Sequence, residues 1–391
     1  MDNKKKIAVL LNGSIFYDSR VKKTIETLSK KAEIDLFYIN RNQQDITLFN
    51  NNVRLFSFEQ KQGYKLKLIR HSFFYNEFNF FINIALSKRI NYDIIYCNDL
   101  PTLKAGVVLK KKLEAKLIYD SHEIFIGTLN QIYSDNLPLL KKISMKIIVG
   151  FMRFVGNIAE RRMIKFVDEF ITTSYSFKGY FENKFHISDV KIVMNCPRID
   201  SSKEKMDFRK LFSLKDSDFI ILFQGVLNKG RALDKLINAM QFTNSNIKLV
   251  IIGEGVLKHE LTQRVLQLKL KNILFQGFVP ASELHIYTKG ADVGINLQEP
   301  INISKKLASA NKLFEYSHAG LPIIASDVPE NRRVIEKYKQ GVLIQNTVEE
   351  IAKSINLLSK VDLKIYQENS LKAALEYNWK NQENILLEIT K

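Results

Sequence analysis

The sequence predicts an α/β protein built from two Rossmann-like parallel-sheet domains, followed by a helical tail. Three observations predict this. The chain has 391 residues, 46% hydrophobic and 26% charged, too many for one ordinary core and too apolar for disorder. Short runs rich in Ile, Val, Phe and Tyr alternate with longer amphipathic segments, the pattern of βα units around a parallel sheet. The alternation lapses once, in the polar stretch from Asp200 to Lys210, and then resumes. The expected domains are therefore 1–197 and 198–370, with 371–391 as the tail. Strand ends from both domains are expected to face a ligand across a cleft.

Each element has its own signal. Ile7–Leu11 is an apolar run stopped by Asn12-Gly13 and reads as the first strand. Val21–Lys31 is amphipathic and helical, Ile34–Ile39 and Val53–Phe58 are strand-like, and a Phe- and Asn-rich helical stretch runs to about Leu86. Strand Tyr92–Cys97, helix Leu103–Leu113, strand Lys116–Tyr119 and the long helix Leu139–Phe166 follow, and Glu169–Thr173 and Lys191–Met194 close this half. In the second half strand Phe219–Phe223 precedes helix Leu233–Phe242, and Lys248–Ile252 precedes Leu257–Leu270. Ile273–Phe275 precedes Ser282–Thr288, Val293–Leu297 precedes Lys312–Ala319, Pro322–Ala325 precedes Asn331–Lys339, and Val342–Ile344 precedes Val348–Leu358. Leu363–Ile389 is helical with no strand.

Composition narrows the function classes. Lys and Arg total 59 against 41 Asp and Glu, a formal charge of +18, so negatively charged partners are favoured by the field of the whole molecule. Residues 1–200 hold 32 basic and 20 acidic side chains, and 201–391 hold 27 and 21. The first half is the more basic. Two cysteines, Cys97 and Cys196, are too few for a disulfide framework or a four-ligand zinc site and suit the reducing cytoplasm. The apolar run behind the basic N-terminus is too short for a signal peptide, and no uncharged apolar segment approaches the roughly 18 residues that span a bilayer.

Several residues fall where a parallel sheet places ligands. Asn311 to Pro322 is a compact helix between two strands, with Ser309 or Asn311 able to cap its start and Gly320 its end. Its N-terminus is a ready phosphate site, and Lys305, Lys306 and Lys312 crowd that positive end against the dipole preference, a conflict that a bound anion relieves. Glu315, three positions after Lys312, can accept two sugar hydroxyls; the plainer reading is an i,i+3 salt bridge and a solvated lysine cluster. Lys229 and Arg231 open a helix after strand Phe219–Phe223 and suit a diphosphate, Arg231 bidentately, or else form an exposed turn. Gly253-Glu254-Gly255 is a tight turn at a strand end, and Gly13 is another; neither makes a GxGxxG fingerprint. In the first half His122, in Asp120-Ser121-His122-Glu123, can hydrogen-bond a sugar hydroxyl or a developing charge, or be structural. Asn98, Asp99, Glu123, Asp18 and Arg20 stand at strand ends or helix starts, where they contact an acceptor or merely cap and pair. Asp216-Ser217-Asp218 has metal-binding DxD spacing but precedes its strand, so it reads as a turn. No other cluster argues for a catalytic metal.

With these segments the chain resembles the retaining GT-B glycosyltransferases of family 4, the glycosyl transferases group 1. The resemblance is carried by Ile94–Leu100, Leu117–Glu123, Asp168–Ser174, Leu222–Arg231, Ile251–Gly255, Ala291–Leu297 and above all Asn311–Asp327. It implies transfer of a sugar from a nucleotide diphosphate sugar with retained configuration, no cofactor and no obligatory metal. By resemblance Arg231 binds the donor diphosphate with Lys229 or Lys312, and Glu315 is the second glutamate of an E-x7-E pair that binds the ribose. His122 touches the donor sugar and Gly13 lies near the phosphates; Asn311, Leu313 and Phe278 belong to the same donor site. One position departs from the pattern: Leu307 stands eight residues before Glu315, where the family has its first glutamate, and Glu299 has the wrong spacing to replace it. The tail around Trp379 resembles the helix that crosses back to the first domain in such folds.

The resemblance implies a saccharide or lipid-linked acceptor in bacterial cell-surface polysaccharide synthesis, in the cytoplasm or at the inner face of the membrane. Lys141, Lys142, Lys146, Arg153, Arg161, Arg162 and Lys165, along an apolar helical region, fit contact with anionic lipid; a solvated basic face is the alternative. Other readings of the chain are a nucleotide-sugar epimerase or hydrolase on the same fold, an inactive homologue, and a basic nucleic-acid binder. The last lacks aromatic residues interleaved with arginine and any nucleic-acid motif.

Overall fold

The computed structural model describes residues 4–40, 49–59, 77–132, 138–200, 202 and 204–391. It divides into two compact units: Met1–Met194 with Asn302–Ser304 and Gln382–Lys391, and Asn195–Ile301 with Lys305–Asn381.

The first unit is built on seven strands: β1 (Lys5–Leu11), β2 (Ala32–Asn40), β3 (Val53–Glu59), β4 (Ile94–Asn98), β5 (Lys116–Ser121), β6 (Glu169–Thr172) and β7 (Lys191–Ile192). Their order is β3-β2-β1-β4-β5-β6-β7, every pair parallel. Parallel strands are covered on both faces, which is why Ile7–Leu11 and Ile94–Asn98 are buried without alternation. The covering helices are α1 (Ser19–Leu28), α2 (Glu77–Ser87), α3 (Leu100–Leu113), the short α4 (Phe125–Thr128), α5 (Leu139–Ile164) and α6 (Tyr175–Phe185). Helix α6 is an addition to the elements expected from the sequence, and the part of the expected Phe- and Asn-rich helix before residue 77 lies outside the described residues. Strand order reverses between β1 and β4, so the carboxyl ends of those strands open the crevice that such sheets use for ligands.

The second unit repeats the scheme with β8 (Phe219–Gln224), β9 (Ile247–Ile252), β10 (Ile273–Gly277), β11 (Val293–Asn296), β12 (Ile323–Ser326) and β13 (Gly341–Ile344), in the order β10-β9-β8-β11-β12-β13. Its helices are α7 (Phe208–Leu211), α8 (Leu233–Ala239), α9 (Lys258–Gln267), α10 (Leu284–Lys289), α11 (Ile303–Leu307), α12 (Asn311–His318), α13 (Pro329–Tyr338), α14 (Val348–Leu358) and α15 (Lys364–Glu376). One core runs through it, from Ile221, Phe223 and Leu249 on the sheet to Leu236, Leu261 and Ile355 on the helices. The reversal here falls between β8 and β11. Asp216-Ser217-Asp218 is a turn in which Asp218 accepts the Lys215 amide and lies 3.5 Å from Lys248.

The last helix is α16 (Trp379–Ile389). Its final turns belong to the first unit: Gln382 Oε1 accepts the Met194 amide at 2.7 Å, Glu383 accepts from the Thr27 hydroxyl at 2.9 Å, and Lys116 donates to the Ile389 carbonyl at 2.7 Å. Among the described residues no helix is long and apolar enough to cross a membrane.

Candidate active site

At the β8 end of the second sheet, Phe223 and Gln224 close the apolar run and a glycine-rich loop leads to α8. Three neighbouring strands end alike, each on a glycine with positive φ: Gly225, Gly253 and Gly277. Their backbones stack, with the Gly225 amide donating to the Ile252 carbonyl at 2.9 Å and the Gly253 amide to the Gly277 carbonyl at 2.7 Å. A Cβ on Gly253 would lie 2.1 Å from the Gly225 carbonyl oxygen, and one on Gly255 would lie 2.4 Å from that of Leu227. These two glycines thus let one loop lie against the next, a packing reason that needs no ligand. Glu254 is exposed and pairs with Lys258. Phe278, just past Gly277, is 71% exposed.

Helix α12 supplies the charged part of the site. Ala310 sits at its N-cap with no side-chain hydrogen bond, and the Ser309 hydroxyl is buried without one, so neither Ser309 nor Asn311 caps it. Gly320 takes the left-handed conformation past its end, as the sequence implies. Lys312, 4% exposed, points inward. Its Nζ has no hydrogen-bond partner and lies 3.9 Å from the centre of the Phe223 ring. Burial first, and repulsion from Arg231 second, push its pKa well below the ordinary lysine value. The guanidinium of Arg231 is likewise lowered by burial, against the pull of Glu315. The i,i+3 salt bridge between Lys312 and Glu315 does not form. Instead Glu315 accepts from Gln224 Nε2 at 2.6 Å, and the Thr288 hydroxyl donates to Gln224 Oε1 at 2.8 Å. Tyr316, behind them, donates to the Leu222 carbonyl at 3.1 Å and accepts the Gln224 amide at 3.2 Å.

The sequence-derived donor residues therefore separate. Arg231, Lys312 and Glu315 come together with the strand end at Phe223-Gln224. Lys229 and Asn311 are exposed at the same loop and helix start. Leu313 does not belong with them: its side chain is fully buried and its amide donates to the Ala310 carbonyl at 3.0 Å, so its place is in the core. Leu307 ends α11, and Glu299 pairs with Lys235 at 2.8 Å. Sequence reasoning missed Gln224 and Thr288. A polar Gln closing the otherwise apolar run of β8 was the available signal.

In the first unit the strand ends carry a buried ionic chain. Arg20, 3% exposed on α1, donates to both oxygens of Asp120, at 2.7 and 2.9 Å, and the Tyr96 hydroxyl donates to the same carboxylate at 2.7 Å. His122 stands between two acids, its Nε2 3.3 Å from Asp120 Oδ2 and its Nδ1 3.5 Å from Asp99 Oδ2, ionic contacts without hydrogen-bond geometry at Nε2. Asp99 also accepts the His122 amide at 2.8 Å. Burial opposes the imidazolium, but Asp99 and Asp120 outweigh it and raise His122 to about 9. Burial also opposes the Asp120 carboxylate, yet Arg20 and His122 hold it far below the usual range; burial raises Asp99. Asp18 accepts the Val21 amide at 3.0 Å as the N-cap of α1, and Asn98 donates to the Leu10 carbonyl at 3.0 Å. Of the expected acceptor-side residues, Asp18, Arg20, Asn98 and Asp99 thus cap and pair. Glu123 is half-buried and gives its carbonyl to the Ser121 hydroxyl; Gly13 gives its own to the Ile39 amide. Among the described residues no three His, Cys, Asp or Glu side chains converge as metal ligands do.

What the second unit offers is a pair of crowded cations, one buried without a hydrogen-bond acceptor, beside a carboxylate that attracts both and is held in place from behind. That arrangement has the chemistry to hold an anionic, hydroxyl-bearing ligand. Residues 204–375 match the family described as Glycosyl transferases group 1. An uncharacterised glycosyltransferase of Methanocaldococcus jannaschii is 25% identical over 87% of this chain and 88% of its own. Sucrose-phosphate synthase from Thermosynechococcus elongatus superposes with a TM-score of 0.76, at 15% identity, over 99% of this chain and 98% of that one. The Anabaena protein HepE, solved with UDP, does so with a TM-score of 0.71, at 15% identity, over 98% of each chain. These whole-chain likenesses give the fold as GT-B.

Proposed function

We propose, from the premise that residues 204–375 form a glycosyl transferases group 1 domain within a GT-B chain, that this glycosyltransferase moves a sugar from a nucleotide diphosphate sugar to a hydroxyl of a saccharide or lipid-linked acceptor. One observation carries the reading: the buried ammonium of Lys312, unpartnered by hydrogen bonds and crowded by Arg231, at the start of α12. A buried cation without a hydrogen-bond acceptor is unfavourable, and a diphosphate supplies that acceptor and further negative charge, together with acceptors for Arg231 and the helix N-terminus. Glu315, fixed by Gln224, then accepts ribose hydroxyls. UDP is the first nucleotide to test, because the Anabaena neighbour was solved with it.

We assign the reaction to the retaining class, without an obligatory metal, in cell-surface polysaccharide synthesis. The acceptor hydroxyl oxygen bonds to the anomeric carbon on the face from which the diphosphate oxygen departs. The bond to that oxygen breaks, and the hydroxyl proton passes to the leaving phosphate. Extra negative charge develops on the diphosphate, where Arg231, Lys312 and the α12 N-terminus stabilise it, so the positive charge a metal would bring is already present. The first unit binds the acceptor, and a lipid-linked acceptor places the enzyme at the cytoplasmic face of a membrane.

The test is thermal unfolding with UDP, GDP, ADP, CMP and their sugars, on the parent and on Glu315→Ala. A ligand at a hundred times its dissociation constant stabilises by about 2.7 kcal/mol. A shift with one nucleotide class, lost in Glu315→Ala, is expected. No shift with any of them overturns the reading in favour of an inactive or purely binding homologue.

A further inference from the structure

Helix α5 is apolar on two opposite faces. One of them, with Val149, Met152, Gly156 and Ile164, is buried in the first unit. On the other, Leu139, Ile143, Ile147, Phe151, Phe154 and Ile158 recur four, four, four, three and four residues apart, which at 3.6 residues per turn is one continuous stripe. Leu140 joins it. The stripe faces outward, with Leu140 81%, Ile147 69%, Phe151 67% and Phe154 66% exposed. Its nineteen-residue advance spans about 28 Å, far more contiguous apolar surface than a solvated helix needs.

The charges along the same helix say what covers it. The single acid, Glu160, is buried and paired with Lys184 at 2.6 Å, so the outward side of α5 carries no negative side chain. Lys141 and Lys146 flank the stripe, and Arg162 and Lys165 stand at its C-terminal end, all exposed. Arg153 instead reaches toward the Gly127 carbonyl at 3.5 Å and takes no part. Exposed aromatic and aliphatic side chains edged by cations and the neutral Ser144 and Asn157, with no acid of the helix among them, match the interface of an anionic bilayer, with acyl chains for the stripe and lipid phosphates for the lysines. Two copies of the chain meeting on this face would set like charges against each other.

We infer that α5 lies in the plane of an anionic membrane, with Leu140, Ile147, Phe151 and Phe154 inserted below the headgroups. Its packed inner face keeps it from spanning. This deepens the proposed lipid-linked acceptor and rests on that reading for its purpose, whereas the membrane binding itself needs no nucleotide.

The experiment is co-sedimentation of the full chain with phosphatidylcholine vesicles, with and without phosphatidylglycerol. The parent is expected to bind the anionic vesicles, and Phe151→Ser with Phe154→Ser to lower partitioning by at least about tenfold. Lys141→Gln with Lys146→Gln should weaken it and reduce its salt dependence. Phe151→Trp should show a blue shift with anionic vesicles over the background of Trp379, which is buried. An unbound parent, an undiminished serine variant, an unshifted emission from Phe151→Trp, or a parent dimer that the serine variant dissociates overturns the inference. An intact nucleotide-induced thermal shift alongside absent vesicle binding would sink this inference alone; the converse would sink the donor reading alone.

Discussion

Replacing Lys312 by Met should make the protein more stable and a poorer nucleotide binder at once. The side chain is 4% exposed, its ammonium has no hydrogen-bond acceptor, and its compensation comes from the Phe223 ring 3.9 Å away and the field of Glu315. A cation over a desolvated ring recovers about 1–2 kcal/mol, whereas burying the charge costs several. Deprotonation caps that penalty at about 5 kcal/mol at pH 7, the free energy of neutralising an ordinary lysine there. The difference leaves about 1–3 kcal/mol of destabilisation that Met, keeping the aliphatic stem, removes. For a unit of this size that is a rise in Tm of roughly 3–8 °C without ligand. On the proposed reading the same substitution deletes a charge-assisted bond to the diphosphate, about 1.5–3 kcal/mol, so nucleotide affinity should fall about 10- to 150-fold. Thermal unfolding with and without UDP, joined to titration calorimetry, reads both. A lower Tm with an unchanged nucleotide shift would refute the reasoning and make Lys312 a packing residue.

Other perturbations follow from the same geometry. Burial pushes the Lys312 pKa down, so on the proposed reading a diphosphate that restores its charged form should make nucleotide binding take up protons between the lowered pKa and the ordinary lysine value, and the apparent calorimetric heat should differ between buffers of unlike ionisation enthalpy; equal heats would contradict it. His122, raised to about 9 against its burial by Asp99 and Asp120, contributes stability that is complete below about pH 6.5 and lost as pH rises through 9, about 3 kcal/mol in all. Urea unfolding at the two ends of that range should show the loss in the parent and not in His122→Gln. Gln224→Leu removes the Gln224 donor from Glu315 and leaves the Thr288 hydroxyl only the Leu284 carbonyl, so nucleotide affinity should drop about three- to tenfold and stability by about 1–2 kcal/mol; unchanged affinity would mean that Glu315 does not depend on Gln224. Gly253→Ala forces a Cβ to 2.1 Å from a carbonyl oxygen at a φ of 135°, and should destabilise by about 3 kcal/mol or more in chemical unfolding.

The fold was legible because parallel strands buried on both faces announce themselves as unbroken apolar runs, and because glycines and polar stretches punctuate them. The second unit followed its signals nearly strand for strand. Helix α6 was missed where aromatic residues, Tyr175, Phe177, Tyr180, Phe181 and Phe185, blur the helical period that aliphatic residues would have shown. Arg231, Lys312 and Glu315 come together in the second unit, as their positions at strand ends and helix starts lead one to expect. What their side chains do there does not follow from those positions. An i,i+3 spacing predicts a pair between Lys312 and Glu315, yet Lys312 turns onto Phe223 and Glu315 onto Gln224, choices made by residues some ninety positions away in the chain. Leu313 shows the reverse error: adjacency to binding residues on a helix does not put its neighbour on the binding face, since one step turns the side chain by about 100°.

Lys312 and the outward stripe of α5 are departures of one kind. A buried ammonium lacking a hydrogen-bond acceptor and an exposed apolar face lacking a cover are each unfavourable in the chain by itself, and the Phe223 ring and Glu315 offset the first only in part. Ionic groups elsewhere in the first unit are satisfied from within: Arg20 has Asp120, Glu160 has Lys184, and His122 has two carboxylates. Selection for stability alone would remove both exceptions, Lys312 by a methionine and Phe151 by a serine. Each is therefore best explained by something outside the chain, an anion in one case and a lipid surface in the other. The two explanations separate cleanly, because Lys312→Met should leave vesicle binding untouched, and Phe151→Ser should leave the nucleotide-induced shift untouched. A substitution at one site that abolished both activities would show that the two exceptions are coupled through folding, and would remove the reason for assigning either to a ligand.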